Sequence, residues 1–317
     1  MLRILLLLLV SSTTLLSLTG CADKKKAMKR QASQTDRNWH DVREEPPQTV
    51  VPDNQGGQDT PSQPNTRETI PYTGNGNPIG GLNISSADEI NEQNARTILH
   101  GMGLMGPGSY HNLSYEAALA GLCNGLTYKR FDRPYSGASG NGCQGIGLND
   151  RIAAQGQTES KTMKEYIFEE YQLLGTALER YSDHPTISRD ETPELFNGWI
   201  DEAANELTAL PAAQRRPLID SLMTTESGRT HWRNFIPVAS NQGAFGFGQF
   251  LSRTATVQYN INHYDPGENL KGIAIMLNDR MTNNGDSIRE ALMFYNGGSS
   301  GSAESRTYAD NILARVN

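Results

Sequence analysis

From about Ser86 onward, apolar residues recur at three- and four-residue intervals. Such intervals gather them on one side of a helix, where they can be buried together. Ser86-Ala87-Asp88-Glu89 has the form of a capping box, and Ile90, Ala95, Ile98 and Leu99 follow it as an apolar stripe. The glycine-rich stretch 101–108 interrupts the pattern, and Ser114 to Cys123 predicts a second short helix. Residues 124–160, rich in Gly, Asn and Ser, predict a long loop. Met163, Tyr166, Ile167, Tyr171, Leu174, Leu178 and Tyr181 mark a third helix. Thr192-Pro193 opens a fourth, with proline in the first turn, where its missing N–H is not needed. Its apolar face is Phe196, Trp199, Ile200, Ala203 and Leu207. Pro217 predicts the start of a helix running to Gly228, and Ile288, Ala291 and Leu292 belong to one ending at Phe294-Tyr295. No strong alternation predicts strands, and no internal repeat is visible. The expected fold class is mainly α.

Ahead of this region the pattern vanishes. Residues 21–83 are rich in Gln, Asn, Asp, Thr, Pro and Gly, with almost no apolar periodicity. Such a segment cannot bury enough apolar surface to offset chain entropy, so a disordered polar tether is expected. Arg3 followed by the apolar run Ile4 to Val10 reads as an export signal over residues 1–20. The run ends at Leu18-Thr19-Gly20-Cys21, which matches the bacterial lipobox and makes Cys21 a candidate for lipidation. The competing reading is an ordinary signal peptide beside an incidental cysteine. With Ala22 directly after Cys21 and Asp23 one later, the expected location is the outer membrane, facing the periplasm. Four successive stretches result: a signal over 1–20, a disordered tether over 21–83, a helical and loop-rich accessory region over 84–190, and a catalytic domain over 191–317.

The formal net charge of −7 argues against a nucleic-acid partner, which would favour a basic patch. Of three cysteines, Cys123 and Cys143 remain after Cys21. In an exported, oxidising setting a disulfide between them is plausible, the alternative being two free thiols. Two cysteines without Cys-x-x-Cys or histidine spacing make a poor metal signature.

The chemistry gathers near the C-terminus. Ile219, Leu222 and Met223 stand at i, i+3 and i+4, and Glu226 at i+7 shares their face. A carboxyl group half-buried there has its pKa raised by desolvation, as a general acid near neutral pH requires. Most glutamates at helix ends are surface or capping residues, so the signal needs company. Gly243-Ala244-Phe245-Gly246-Phe247-Gly248-Gln249-Phe250 is too glycine-rich for a helix interior. Glycines let a backbone approach a ligand, and Phe245, Phe247 and Phe250 are expected to offer faces on which sugars stack, unless they are simply buried. Tyr295 and Asn296 supply a hydroxyl and an amide beside Gly297-Gly298, and Glu304-Ser305 precedes Tyr308 by a few residues.

These blocks, in this order over roughly residues 215–317, resemble the soluble lytic transglycosylase family. Glu226-Ser227, Gly243 to Gln249, Asp265-Pro266 with Asn269, Ala291-x-x-x-Tyr295-Asn296-x-Gly298 and Glu304 to Tyr308 carry the likeness. Phe247-Gly248 replaces the family's usual Leu-Met. The resemblance implies a lysozyme-like, mostly helical catalytic domain with a groove for peptidoglycan glycan strands. It implies non-hydrolytic cleavage between N-acetylmuramic acid and N-acetylglucosamine, with Glu226 as the one acid/base. Glu226 would protonate the leaving oxygen, then take the proton of the muramic C6 hydroxyl as a 1,6-anhydro ring closes. Ser227, Phe245, Phe247, Gln249, Tyr295, Asn296 and Tyr308 become candidate substrate-binding residues, Asp265 a helix cap, and no metal or organic cofactor is needed. Three other readings stay open: a hydrolysing muramidase on the same fold, a catalytically idle peptidoglycan-binding or assembly protein, and an enzyme serving an envelope-spanning secretion or conjugation machine.

Overall fold

The computed structural model describes residues 77–106, 108–109, 111–127, 143–153, 157–297 and 302–316. The export signal, Cys21, most of the expected tether and Gly298 lie outside the described residues. The described chain is mainly helical, with short strands only.

The first described residues already pack. Ile79 is buried and sits where a side chain on Gly101 would collide with it. The Tyr171 hydroxyl donates to the Leu82 carbonyl at 3.0 Å. Residues 77–83, expected in the tether, therefore belong to the folded body, because Ile79 is apolar enough to anchor them. The Ser86 motif makes a 3-10 turn, Ala87–Glu89, rather than opening a long helix. Helix α1, Glu92–Gly101, starts afresh at Asn91, whose side chain accepts from the Asn94 N–H and so satisfies an otherwise open donor. Helix α2 is Tyr115–Thr127, a turn longer than its apolar pattern. Cys123, near its end, is disulfide-bonded to Cys143. Strands β1, Arg151–Ile152, and β2, Lys161–Thr162, form a small antiparallel pair within the expected loop. Residues 128–142 of that loop are outside the description.

Helix α3, Met163–Arg180, begins with a full capping box of Thr162 and Glu165. After β3, Ile187–Ser188, come α4, Pro193–Glu206, and α5, Ala212–Ser227. Pro217 lies inside α5 and does not open it. It removes one backbone bond near the helix start, toward the exposed Ala213, whose carbonyl water can satisfy. Strands β4, Thr230–Arg233, and β5, Ile236–Pro237, join β3 in a three-stranded antiparallel sheet of order β3-β4-β5. β6, Ala244–Phe245, and β7, Phe250–Leu251, clasp the glycine run between them. A π-helical turn, Thr254–Tyr259, leads to α6, Pro266–Asn283, capped by Asp265. Helices α7, Ile288–Tyr295, and α8, Ala303–Leu313, close the chain and pack on each other.

Helix α6 packs chiefly on α4, and α5 packs between α4 and α8. One hydrophobic core runs from Ile79 through Leu122, Leu174 and Leu222 to Ile312, continuous across residue 190. Helix α2 comes very close to the loop before β6. A Cβ on Gly121 would stand 2.8 Å from the Asn241 carbonyl oxygen, and one on Gly125 2.9 Å from that of Gly243. Glycines four apart on α2 thus give the glycine run a backbone to lie against.

Candidate functional site

Glu226 occupies the last turn of α5, which ends at Gly228 in a left-handed conformation, φ 59°. Ile219, Leu222 and Met223 beneath it are fully buried. Glu226 itself is half-buried, open to solvent on one side. Its Oε1 accepts a hydrogen bond from the Tyr308 hydroxyl of α8. Burial pushes the Glu226 carboxyl up to about 7, with the Tyr308 bond partly opposing the rise. Among the described residues these are the influences on Glu226, and no carboxylate figures with them. The Tyr308 and Tyr295 phenols are both held well above their ordinary range, by burial first and then by the Glu226 charge, so both stay protonated donors.

The glycine run forms a shelf linked to this acid through Tyr295, which bonds the Gly248 carbonyl and feels the Glu226 charge. Gly246 has φ +73°, and a Cβ there would strike His231 and Asn269. Those two side chains hold the shelf. Phe247 N–H donates to His231 Nδ1 at 3.2 Å, and His231 Nε2 meets the Tyr264 carbonyl at 2.8 Å. One ring nitrogen accepts and the other donates, so the imidazole is neutral; burial pushes its pKa down to about 3. Asn269 Oδ1 accepts from Gly248 N–H at 2.7 Å, and its Nδ2 donates to the carbonyls of Phe245 and His263. Gly248 leaves room for the Tyr295 hydroxyl, which donates to the Gly248 carbonyl at 2.6 Å and would stand 2.8 Å from a Cβ there. Any side chain at 248 would need that space, which accounts physically for the glycine there.

The aromatic expectation needs correction. Phe245 and Phe247 are 0% exposed and Phe250 is 3% exposed, so none presents a face on which a sugar can stack. Phe247 packs edge-on to Phe196, and Phe245 packs against Tyr264 and His263. Alternating glycines let the shelf turn each phenylalanine into the core. Gln249 lies in the left-handed region, φ 50°, and its Nε2 donates to the carbonyls of Val238 and Gly246. That fixes the amide with Oε1 as the atom left to meet a ligand. Ser227 Oγ bonds back to the Met223 carbonyl at 3.2 Å, so it serves the helix end. Asn296, half-buried, is the C-terminal cap residue of α7 and continues the Tyr295 side of the site. Comparison with protein-family models, with curated proteins and with solved structures finds no match.

Two carboxylates are already committed elsewhere. Asp265 accepts from the N–H groups of Gly267 and Glu268 and pairs with Arg180. Glu170 of α3, fully enclosed, accepts from the Ser252 hydroxyl, from Tyr264 Oη at 2.6 Å and from His263 Nε2 at 3.0 Å. Burial opposes its charge, but His263 and the three hydrogen bonds together hold it below the ordinary carboxylate range. Sequence reasoning missed His231 and Glu170. Glu170 was legible in principle, since it falls on the stripe of Tyr166, Ile167 and Leu174. His231 lies in a four-residue strand too short to show a pattern.

Proposed function

We propose that this chain has a lysozyme-like catalytic fold and is a peptidoglycan lytic transglycosylase. One observation supports this most: a single half-buried carboxyl, Glu226, poised near neutral pH at a helix end, with a tyrosine hydroxyl on it and a backbone shelf linked to it through Tyr295. A group of that pKa is protonated often enough to donate to a glycosidic oxygen and, once ionised, basic enough to retrieve a proton. That is the double duty of a one-carboxylate mechanism.

In this reading the muramic acid C6 hydroxyl attacks its own anomeric carbon as the bond to the leaving sugar breaks. The glutamate's proton goes to the leaving oxygen, and the C6 proton goes to the glutamate, so no water is consumed. Tyr308 orients Glu226, Gln249 Oε1 and Asn296 meet hydroxyl or acetamido groups, and Tyr295 braces the shelf. A hydrolysing muramidase would require a second free carboxylate within roughly 5–9.5 Å, and Asp265 is engaged as cap and ion pair. A lipid on Cys21 would place the enzyme on a membrane facing the cell wall, with glycan strands as its partner.

Clearing of a purified peptidoglycan suspension tests the assignment. Glu226→Gln should lower the rate by at least ~10²-fold, the usual worth of general acid–base catalysis, with the fold intact. An equally active Glu226→Gln would overturn it.

A further inference from the structure

A second site lies on another side of α5. A cavity of about 350 Å³ is lined by Arg189, Arg216, Arg229 and Arg315, with Asp220 among them and Phe196 and Ile200 as an apolar floor. Arg216, Asp220 and Thr224 stand four residues apart on one stripe of the helix. Glu226 follows Thr224 by two residues and so points about 200° further round, which separates this cavity from the acid.

The cations are held there by the backbone. Arg189 follows β3 and Arg229 precedes β4, and Arg189 N–H donates to the Arg229 carbonyl at 3.0 Å. Arg229 has φ 64°, a conformation that a residue with a side chain adopts only at a cost. Both guanidiniums fall on the same carboxylate: Arg189 Nη1 is 3.2 Å from Asp220 Oδ1, and Arg229 Nη2 is 2.8 Å from Oδ2. One negative charge thus serves two positive ones. Arg229 Nε is buried and has no hydrogen-bond partner, a donor held without an acceptor. Arg315 Nη1 reaches neutral partners among the described residues, the Ser221 carbonyl and the Thr225 hydroxyl. Arg216 binds Asp201 and Asn197 at the rim. Asp190 lines an adjoining hollow with Arg189, so Asp201 and Asp190 are further acids beside the group.

We propose that this cavity binds the terminal carboxylate of a short peptide whose last side chain is small and apolar. Guanidinium forks match a carboxylate through paired, charge-assisted hydrogen bonds, and the Phe196–Ile200 floor suits a methyl-sized group. The volume suits the end of a short peptide. The inference is independent of the reaction assigned to Glu226, because it is read by binding alone.

The test uses the intact protein in an NMR or calorimetric titration with acetyl-D-Ala-D-Ala, acetyl-L-Ala-L-Ala, the amide of each binding peptide, and inorganic phosphate. A free-carboxylate peptide should bind, and its amide should bind about tenfold or more weakly, the worth of a charged hydrogen bond. Preference for the D form would point to a cell-wall peptide, and for the L form to a protein tail; either carries the proposal. Arg315→Gln should weaken binding to a similar degree. Arg216→Gln, altered only at the exposed rim, provides a variant whose folding is not in doubt and should weaken binding too. Binding of phosphate but neither peptide, equal binding of acid and amide, or unchanged affinity in both variants would overturn the proposal.

Discussion

Glu226 is governed by two opposed influences, and each is separately adjustable. Burial raises its pKa to about 7, and the Tyr308 hydroxyl lowers it by stabilising the carboxylate. The acid form starts the proposed reaction, so kcat/KM should be level below that value and fall as pH rises through about 7. Tyr308→Phe removes the influence that favours the charge, so the descending limb should move to higher pH while the maximal rate falls. A pH–rate profile of wild type and Tyr308→Phe checks this; a limb that stays in place or moves down would contradict the bond's role. The acid was legible in the sequence because an i, i+3, i+4, i+7 stripe fixes which way a helical side chain points. The phenylalanines were not, because a run of alternating glycine and phenylalanine does not say which side of its backbone faces the core. That depended on His231 and Asn269, which reach the run from other segments.

At the scale of elements, helices with strong stripes fall where the sequence predicts them: α3 from Met163, α4 from Pro193, and α7 around Ile288, Ala291 and Leu292. Two helix starts differ from the sequence expectation. At Ser86 the capping motif makes only a 3-10 turn, and the stripe beyond it belongs to a helix capped by Asn91. At Pro217 the helix already has an earlier turn, Ala212 to Arg216, largely exposed and built of good helix formers, and a proline this near the start leaves it intact. Glu170 ties three elements together, α3, β7's end and the segment before α6. Its carboxylate accepts from three buried donors, and Glu170→Gln turns one acceptor oxygen into an NH2 group facing them, so it should cost about 1.5–3 kcal/mol in unfolding free energy at neutral pH. Its folded-state pKa is lowered, so this stability is present above the ordinary carboxylate range and is lost as pH falls through the folded value. Urea unfolding should therefore show a difference that shrinks on acidification. A difference that is small at neutral pH, or that grows in acid, would contradict the role given to the buried carboxylate.

At the scale of the whole molecule, one core joins what the sequence divides at residue 190. Helix α2, braced by the Cys123–Cys143 disulfide, lies against the loop that begins the glycine shelf, and α3 supports the turn that leads into α6. The accessory segment thus backs the site from behind, through Gly121, Gly125 and Glu170, rather than forming a separate body. The Cys123–Cys143 pairing was legible in the sequence, but the packing contacts were not, since they join residues far apart along the chain. The central claim is that a single carboxyl, Glu226, cleaves glycan strands without consuming water. Mass spectrometry of the fragments released from purified peptidoglycan tests it most directly. Wild type should yield 1,6-anhydro ends, lighter by one water than hydrolysed ends, and Glu226→Gln should yield neither; products carrying the full mass of water would contradict the account.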